Sequence, residues 1–298
     1  MLNKFLNPKN DSAFKRIFGS EKNKDILIHF LNDMFGRTTN PIEYITFLPT
    51  VQDPETAALR SSTVDVMCKD TEGNQFIVEM QVDGKPGFEK RAQYYAAKAY
   101  VRQSQKGVEY PEFKEIIFLA ITDFTLFPDK TAYFSHHLIL DKETNEHNLK
   151  DFSFTFLELP KFKKKKEALK TMVEKWAYFF KKAEDTKLQD LPLIVGSDTI
   201  IQRAFEELDQ HGWTDAELRY YDSVEMKQMD DKVLLRKAVE EAEIKGEIKG
   251  EIKGKIEGKI EGEITGKIKI AKKMLSAGMR ISDIVLMTEL TEEEIRQL

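Results

Sequence analysis

The sequence predicts an α/β fold in which a mixed β-sheet packs against helices and is followed by a helical C-terminal region. Short segments with the two-residue apolar period of strands lie between longer segments with the 3.6-residue period of helices. Residues 116–121 are continuously apolar over the length of one strand, which is typical of a strand covered on both faces. From Lys164 to the C-terminus, nearly every segment has helical character.

Two helices are predicted before the first strand. Apolar side chains recur at helical spacing on both sides of Gly19, and Gly19 and Gly36 are placed to end the two helices. Asp11 and Ser12 are placed to cap the first helix. We expect the first strand at residues 44–48.

A β-hairpin is predicted next. Residues 63–69 and 75–82 alternate apolar and polar side chains, and the segment between them contains Gly73 and Asn74, which suit a positive φ. One face of this hairpin is apolar and is expected to pack inward. This face consists of Val64, Val66, Cys68, Phe76, Val78, Met80 and Val82.

The register of the hairpin decides whether two of its acids meet. If Lys69 pairs with Gln75, Asp65 lies directly opposite Glu79, and the Cβ atoms of such neighbours are about 5 Å apart. A slip of one residue would move the apolar set of one strand to the wrong face. The apolar pattern therefore favours the register that brings the two carboxylates together.

Two close carboxylates repel each other unless a cation lies between them. Mg²⁺ prefers oxygen ligands and binds through one or two carboxylates together with substrate phosphate. The pair Asp65 and Glu79, with the backbone carbonyl of Met80 as a further ligand, therefore indicates metal-assisted phosphodiester hydrolysis. The alternative is a hairpin whose outer face is polar because it contacts water, since acids on exposed strands are common.

The rest of the chain divides into further core elements and a repetitive tail. The core elements are one helix and three strands, predicted at 88–105, 115–122, 133–140 and 152–159. We expect three parts in all, which are a core at 1–160, a helical extension packed on the core at 161–235, and a tail at 236–298.

The tail contains a four-residue repeat with glycine, isoleucine and charged residues at fixed places. Residues 246–269 are GEIK GEIK GKIE GKIE GEIT GKIK. We favour a helix, in which the isoleucine stripe advances about 40° per repeat and needs an oligomeric or intramolecular partner. A strand also fits the pattern, and each glycine costs a helix about 1 kcal/mol relative to alanine. A solvated linker is the alternative to the helix.

Composition excludes several classes of protein. The formal net charge of −5 excludes a uniformly basic nucleic-acid-binding surface, although a local basic groove is compatible with it. The single cysteine, Cys68, excludes an intramolecular disulfide framework and a zinc site built from cysteines, and it favours a cytoplasmic location. No apolar run approaches the roughly 20 residues of a membrane helix, so no membrane partner is expected.

The order of the elements resembles the restriction-endonuclease-like αβββαβ core of the PD-(D/E)XK nuclease superfamily. Four motifs are also similar in sequence and spacing to those of the Rpn family of recombination-promoting nucleases, also described as transposases. They are residues 7–19 (NPKNDSAFKRIFG), 64–66 (VDV), 78–81 (VEMQ) and 91–95 (RAQYY). The resemblance extends over residues 5–240, and the tail is similar in character to that family's C-termini.

The resemblance implies a Mg²⁺-dependent DNA endonuclease that acts in recombination or in mobile-element and phage conflict. It implies that Asp65 and Glu79 are metal ligands and that Gln81 occupies the position of the superfamily's lysine. Glutamine carries no charge to orient or acidify a water molecule, so either Lys15 supplies the lysine or catalysis is slow. Asp11 is either the cap of the first helix or a residue near the metal that places the ion or Lys15.

Two groups of residues are candidates for binding DNA. Arg91 and Gln93 begin the helix after the Glu79 strand and can contact phosphate. Lys161, Lys163 and Lys164 belong to the densest basic run and can neutralise DNA phosphates; solvated surface positions are the alternative for both groups. The rival to a nuclease is an inactive scaffold that binds a partner or forms a homo-oligomer through its tail.

Overall fold

The fold is described by a computed structural model of residues 4–52, 62–104 and 107–298. The chain forms two compact units, Met1–Gln228 and Met229–Leu298. The three-part division predicted from the sequence stays a prediction.

Two helices precede the sheet, α1 (Asp11–Phe18) and α2 (Lys24–Phe35). The predicted cap of α1 is wrong by one residue, because the extended backbone at Asn10 lets its side chain accept the Ser12 N–H at 2.9 Å. Asp11 is therefore the first residue of the helix. At the other end of the pair, Gly36 ends α2 with a φ of +60°, a left-handed conformation that favours glycine.

The sheet is mixed, as predicted. Six strands lie in the order β1-β4-β5-β6-β8-β7, and β2 and β3 form a separate pair. Strands β5, β6 and β8 are parallel to one another, and the other neighbours are antiparallel. The strands of the described residues are β1 (Ile45–Phe47), β2 (Val51–Gln52), β3 (Ser62–Thr63), β4 (Val66–Asp70), β5 (Gln75–Gln81), β6 (Ile116–Thr122), β7 (Phe134–Ile139) and β8 (Leu149–Glu158).

The predicted register of the β4–β5 hairpin is confirmed. Lys69 lies opposite Gln75 along the ladder. In the connecting turn Gly73 has a φ of +91°, and the Asp70 carboxylate accepts the backbone N–H groups of Glu72 and Asn74 at 3.0 and 2.9 Å. The turn is therefore closed by a side chain as well as by glycine, which holds the register at this end.

Both faces of the hairpin are buried, which contradicts the alternative of an outer face that contacts water. Val66, Cys68 and Val78 pack on the face covered by α1, α2 and the later helices, as expected. Met67 and Ile77, on the other face, pack against helix α3 (Phe88–Val101). Val64 also belongs to this second cluster, because the chain bends at residue 65 and interrupts the alternation of side chains.

Three further helices complete the first unit. The predicted helix near Lys164 begins later, at Met172, where Thr171 and Glu174 form a capping box. The helix predicted over residues 88–105 is shorter, because α3 ends at Val101. Gln105, the last residue of the predicted helix, lies outside the described residues. The helices after β8 are α4 (Met172–Lys182), α5 (Leu191–Val195) and α6 (Thr199–Glu207).

Helix α7 (Asp215–Ser276) contains the whole four-residue repeat, in agreement with the helix favoured from its sequence. The repeat isoleucines from Ile248 to Ile264 are about half exposed, so no part of the described chain covers them fully, whereas Ile268 packs against an apolar cluster at the C-terminus. Two short helices follow, α8 (Ile281–Thr288) and α9 (Glu292–Arg296), and they share a small apolar core with the end of α7. Throughout the described ranges, no helix is long and apolar enough to cross a membrane.

Candidate active site

Asp65 and Glu79 meet on one side of the hairpin. Asp65 immediately precedes β4, and Glu79 lies one residue beyond the Val66–Val78 pair of the ladder. The backbone N–H of Asp65 donates to Glu79 Oε1 at 3.2 Å, and the backbone N–H of Met80 donates to Asp65 Oδ2 at 2.8 Å. Each carboxylate is thus held by the backbone of the opposite strand, which aligns the two acids.

Burial and mutual repulsion act together on this acidic pair. Burial, followed by the charge of Asp65, raises the pKa of Glu79 well above its ordinary value, and only 2 % of Glu79 is exposed. Burial also raises the pKa of Asp65 to about 6, with a smaller contribution from the charge of Asp11. Keeping both carboxyl groups ionised therefore costs free energy, and a bound cation would remove this cost.

Gln81 and Arg91 continue the hydrogen-bond network from Glu79. Gln81 Nε2 donates to Glu79 Oε2 at 2.9 Å, and Arg91 Nη2 donates to Gln81 Oε1 at 2.5 Å. The Arg91 guanidinium also lies 5.0 Å from the centre of the Phe88 ring. Arg91 Nε is buried without a hydrogen-bond partner, which is uncommon for a buried donor.

Lys15 and Asp11 form an ion pair on the first turns of α1, at 2.8 Å. Burial lowers the pKa of Lys15, but the hydrogen bond and charge of Asp11, and then the charge of Asp65, raise it above its ordinary value. Lys15 is therefore a fixed positive charge near Asp65. No group of three His, Cys, Asp or Glu side chains that could hold a metal ion is found among the described residues, and the place of Asp11 near a metal stays a prediction.

The donor set suits a hard divalent cation. It consists of two carboxylates that are held by backbone N–H groups and destabilised by burial. Mg²⁺ commonly binds through one or two protein carboxylates and completes its shell with water and phosphate. The residues present therefore fit such an ion, with Asp65 and Glu79 as the protein ligands.

Tyr95 on α3 packs against the apolar cluster on that side of the sheet and interacts with the charges of the acidic pair. It lies four residues after Arg91 on α3, so the two share a helix face. Burial raises the pKa of Tyr95, Arg91 lowers it, and the charges of Glu79 and Asp65 raise it further.

The other residues predicted to contact DNA differ in whether their side chains already form ion pairs within the protein. Lys161 donates to Glu158 at 2.7 Å, and Lys164 pairs with Glu174, so both hold the chain that follows β8. Lys163 is exposed. Gln93 is exposed on α3 and donates to the backbone carbonyl of Glu89.

A basic cleft of 440 Å³ surrounds this lysine run. It also contains acids, so its charge is partly balanced. Its lysines are Lys163, Lys164, Lys165, Lys166, Lys181 and Lys182. The cleft lies after the carboxyl end of β8, which is parallel to β5, so both strands end at the same edge of the sheet.

Comparison with known proteins gave two matches, which together include most of the chain. The family described as PD-(D/E)XK nuclease family transposase matches residues 8–238. The C-terminal HTH domain of the Rpn/YhgA-like nuclease family matches residues 265–298, a domain that sequence analysis missed. No curated protein and no solved structure matches the chain. The resemblance to Rpn nucleases stated from the motifs is confirmed.

Proposed function

Because the chain belongs to the PD-(D/E)XK nuclease family transposases, we propose that it is a Mg²⁺-dependent DNA endonuclease. The observation that carries this proposal is the interlocked pair of carboxylates from two adjoining β segments. A purely structural hairpin gains nothing from two acids whose pKa values burial has raised. The pair is explained if it holds a cation.

The protein ligands of this cation would be Asp65, Glu79 and the backbone carbonyl of Met80. When bound, Mg²⁺ would polarise the scissile phosphate, acidify a water molecule and neutralise developing charge. The chain itself places the reactants. Gln81 Nε2 has a second N–H besides the one donated to Glu79, and this group can orient the attacking water.

Hydrolysis forms a bond between the water oxygen and phosphorus and breaks the bond between phosphorus and one ester oxygen. The attacking water loses one proton to solvent, and the leaving ester oxygen takes up one proton from solvent. Lys15 provides a positive charge near Asp65 that can attract the phosphate. Asp11 holds Lys15 in that position.

DNA is the proposed substrate and partner. Arg91, Gln93 and Lys163 are proposed to contact its backbone, whereas Lys161 and Lys164 would first have to leave their ion pairs. The HTH match at 265–298 supports a second contact with DNA. The proposed role is in recombination or mobile-element and phage conflict, in the cytoplasm.

Digestion of plasmid DNA tests the proposal. We expect cleavage in Mg²⁺ and none in EDTA, and we expect Asp65→Asn to lower the rate at least about a thousandfold while DNA binding persists, as for loss of a key electrostatic group. The matched control is Glu72→Gln, at the turn end of the same hairpin, which should cleave normally. Undiminished cleavage by Asp65→Asn would contradict the proposal.

A second candidate function is a scaffold that self-associates through its tail. The half-exposed isoleucine stripe of α7 favours it, because apolar side chains at regular spacing gain free energy when a partner covers them. A chain ending at Lys232 distinguishes the two functions. A scaffold loses its oligomeric state on ultracentrifugation, whereas a nuclease retains Mg²⁺-dependent cleavage.

A further inference from the structure

Among the hydrogen bonds of the described residues, none joins a lysine to the acidic pair. Position 81, which follows Glu79 by two residues, carries an uncharged amide. The charge of Lys15 interacts with that of Asp65, but the Lys15 ammonium group is paired with Asp11. The Lys15 charge acts on Asp65 and is balanced by that of Asp11, so a nuclease site with two anionic ligands and an anionic substrate needs a second positive charge beside Glu79 and position 81.

Helix α3 supplies a guanidinium group at this position. Arg91 is hydrogen-bonded to Gln81 Oε1, and Gln81 is hydrogen-bonded to Glu79. The charge of Arg91 acts on both acids, since it lowers the pKa of Asp65 and of Glu79 against the effect of burial. The contact is a long-range one, ten residues apart in sequence, and it joins the helix to the end of β5.

The guanidinium group has unused hydrogen-bonding capacity. Arg91 Nη2 donates to Gln81, and the face of the guanidinium group lies over the Phe88 ring. Arg91 Nε is buried and has no acceptor among the described residues. A buried donor without an acceptor is unfavourable, and the geometry of guanidinium matches the oxygens of phosphate. The half-buried guanidinium group therefore keeps donor capacity beyond its bond to Gln81, and a phosphate oxygen can use this capacity.

We propose that Arg91 supplies the positive charge that position 81 lacks, with Gln81 as the group that it orients. By holding Gln81 Oε1, Arg91 directs the amide nitrogen towards Glu79 and the attacking water. Its remaining N–H side receives an oxygen of the scissile phosphate. Arginine stays protonated, so this group stabilises charge and takes no part in proton transfer. This inference rests on the proposed nuclease function.

Charge relocation tests the inference. Arg91→Gln should lower kcat at least about a hundredfold, as for loss of a donor to transition-state charge. Gln81→Lys in the Arg91→Gln background moves the charge to position 81 and should recover at least a tenfold part of that loss. Arg91→Lys keeps a charge over Phe88 and should fall between wild type and Arg91→Gln. The matched control is Arg102→Gln at the other end of α3, which should retain wild-type kcat.

Metal affinity provides a readout that does not depend on cleavage. Calorimetric titration with Ca²⁺ alone, without DNA, should show that Arg91→Gln binds the ion roughly tenfold more tightly, since a neighbouring positive charge repels it. A merely structural role predicts the opposite, because a disturbed site binds the ion less tightly. Tighter Ca²⁺ binding with slower cleavage therefore supports the inference.

Two results would overturn it. One is Arg91→Gln with wild-type kcat while Lys15→Gln is inactive, which would assign the charge to Lys15. The other is Arg91→Gln with weakened Ca²⁺ binding and no recovery by Gln81→Lys. Failure of the nuclease proposal is separate, because it is seen as absence of cleavage by the wild-type protein in Mg²⁺, and the Ca²⁺ titration still decides the placement of the charge.

Discussion

The β4–β5 hairpin and the repeat of helix α7 depart from ordinary burial in opposite directions. The hairpin buries Glu79 beside the half-buried Asp65, whereas the repeat exposes the isoleucine side chains from Ile248 to Ile264. In the hairpin, the two carboxylates are held by backbone N–H groups and by Gln81, which Arg91 holds in turn. The fold therefore fixes the positions of the acidic groups. In the repeat, no described residue buries the isoleucines from Ile248 to Ile264. A buried charge thus indicates a ligand, and an exposed apolar stripe indicates a partner.

The largest expected effect concerns the repeat glycines. A Cβ at each of the six would meet no atom within 4 Å, so replacing all six with alanine should stabilise the helix by about 6 kcal/mol in total, at about 1 kcal/mol each. Thermal unfolding followed by circular dichroism at 222 nm measures it. The control Gly36→Ala, at a positive φ, should be destabilising. Unchanged melting of the six-alanine variant would mean that the glycines contact a second chain.

The next effect concerns stability at the acidic pair. The rise in the Asp65 pKa from 3.8 to about 6 corresponds to about 3 kcal/mol, at about 1.36 kcal/mol per pH unit. Asp65→Asn should therefore raise the free energy of unfolding of the metal-free protein at pH 8 by up to that amount, in urea titrations. Asp70→Asn, at the turn end, should lower it, because that carboxylate caps two backbone N–H groups. A destabilised Asp65→Asn variant would show that burying this charge is not costly.

The pH dependence of stability follows from the same shift. An acid whose pKa is higher in the folded chain binds more protons when folded, so the free energy of unfolding falls as pH rises from about 4 through about 6. Urea unfolding at pH 5 and pH 7.5 should show this loss in EDTA, and Mg²⁺ should reverse it at pH 7.5. Asp65→Asn should flatten the profile. A wild-type profile that rises over this interval would contradict the raised pKa.

The smallest effect should come from one exposed isoleucine. Ile256 is 55 % exposed, so Ile256→Lys should change the free energy of unfolding by less than about 0.5 kcal/mol in dilute solution. Ile284→Ala, in the buried C-terminal cluster, is the control and should cost about 2–5 kcal/mol. Chemical denaturation of the full chain measures both. A large effect of Ile256→Lys would place this side chain against a partner.

Local pattern was sufficient for the hairpin and its acids. The apolar alternation of β4 and β5 allows one register only, and that register sets Asp65 against Glu79. Local pattern left open whether the second face of the hairpin contacts water, because Ile77 and Met67 are covered by α3, a helix whose packing no local pattern specifies.

The basic run shows the same division. Counting lysines identified residues 161–166 as a candidate DNA contact, but counting does not reveal that Glu158 and Glu174 hold two of them. The C-terminal domain was missed for a different reason. The repeat dominated the composition of the tail, although Thr291 and Glu294, the capping box that begins α9, were present in the sequence.

What the sequence by itself determined is whatever depends on near neighbours: the period of each element, the turn at Gly73, and the pairing of Asp65 with Glu79 across a short loop. What only the tertiary structure decided is whatever joins distant segments: the covering of both sheet faces, the pairing of Lys15 with the site, and the contact of Arg91 with Gln81. The physical reason is that periodicity and turn chemistry act within a few residues. The approach of α1 and α3 to the end of β5 results from packing of the whole core.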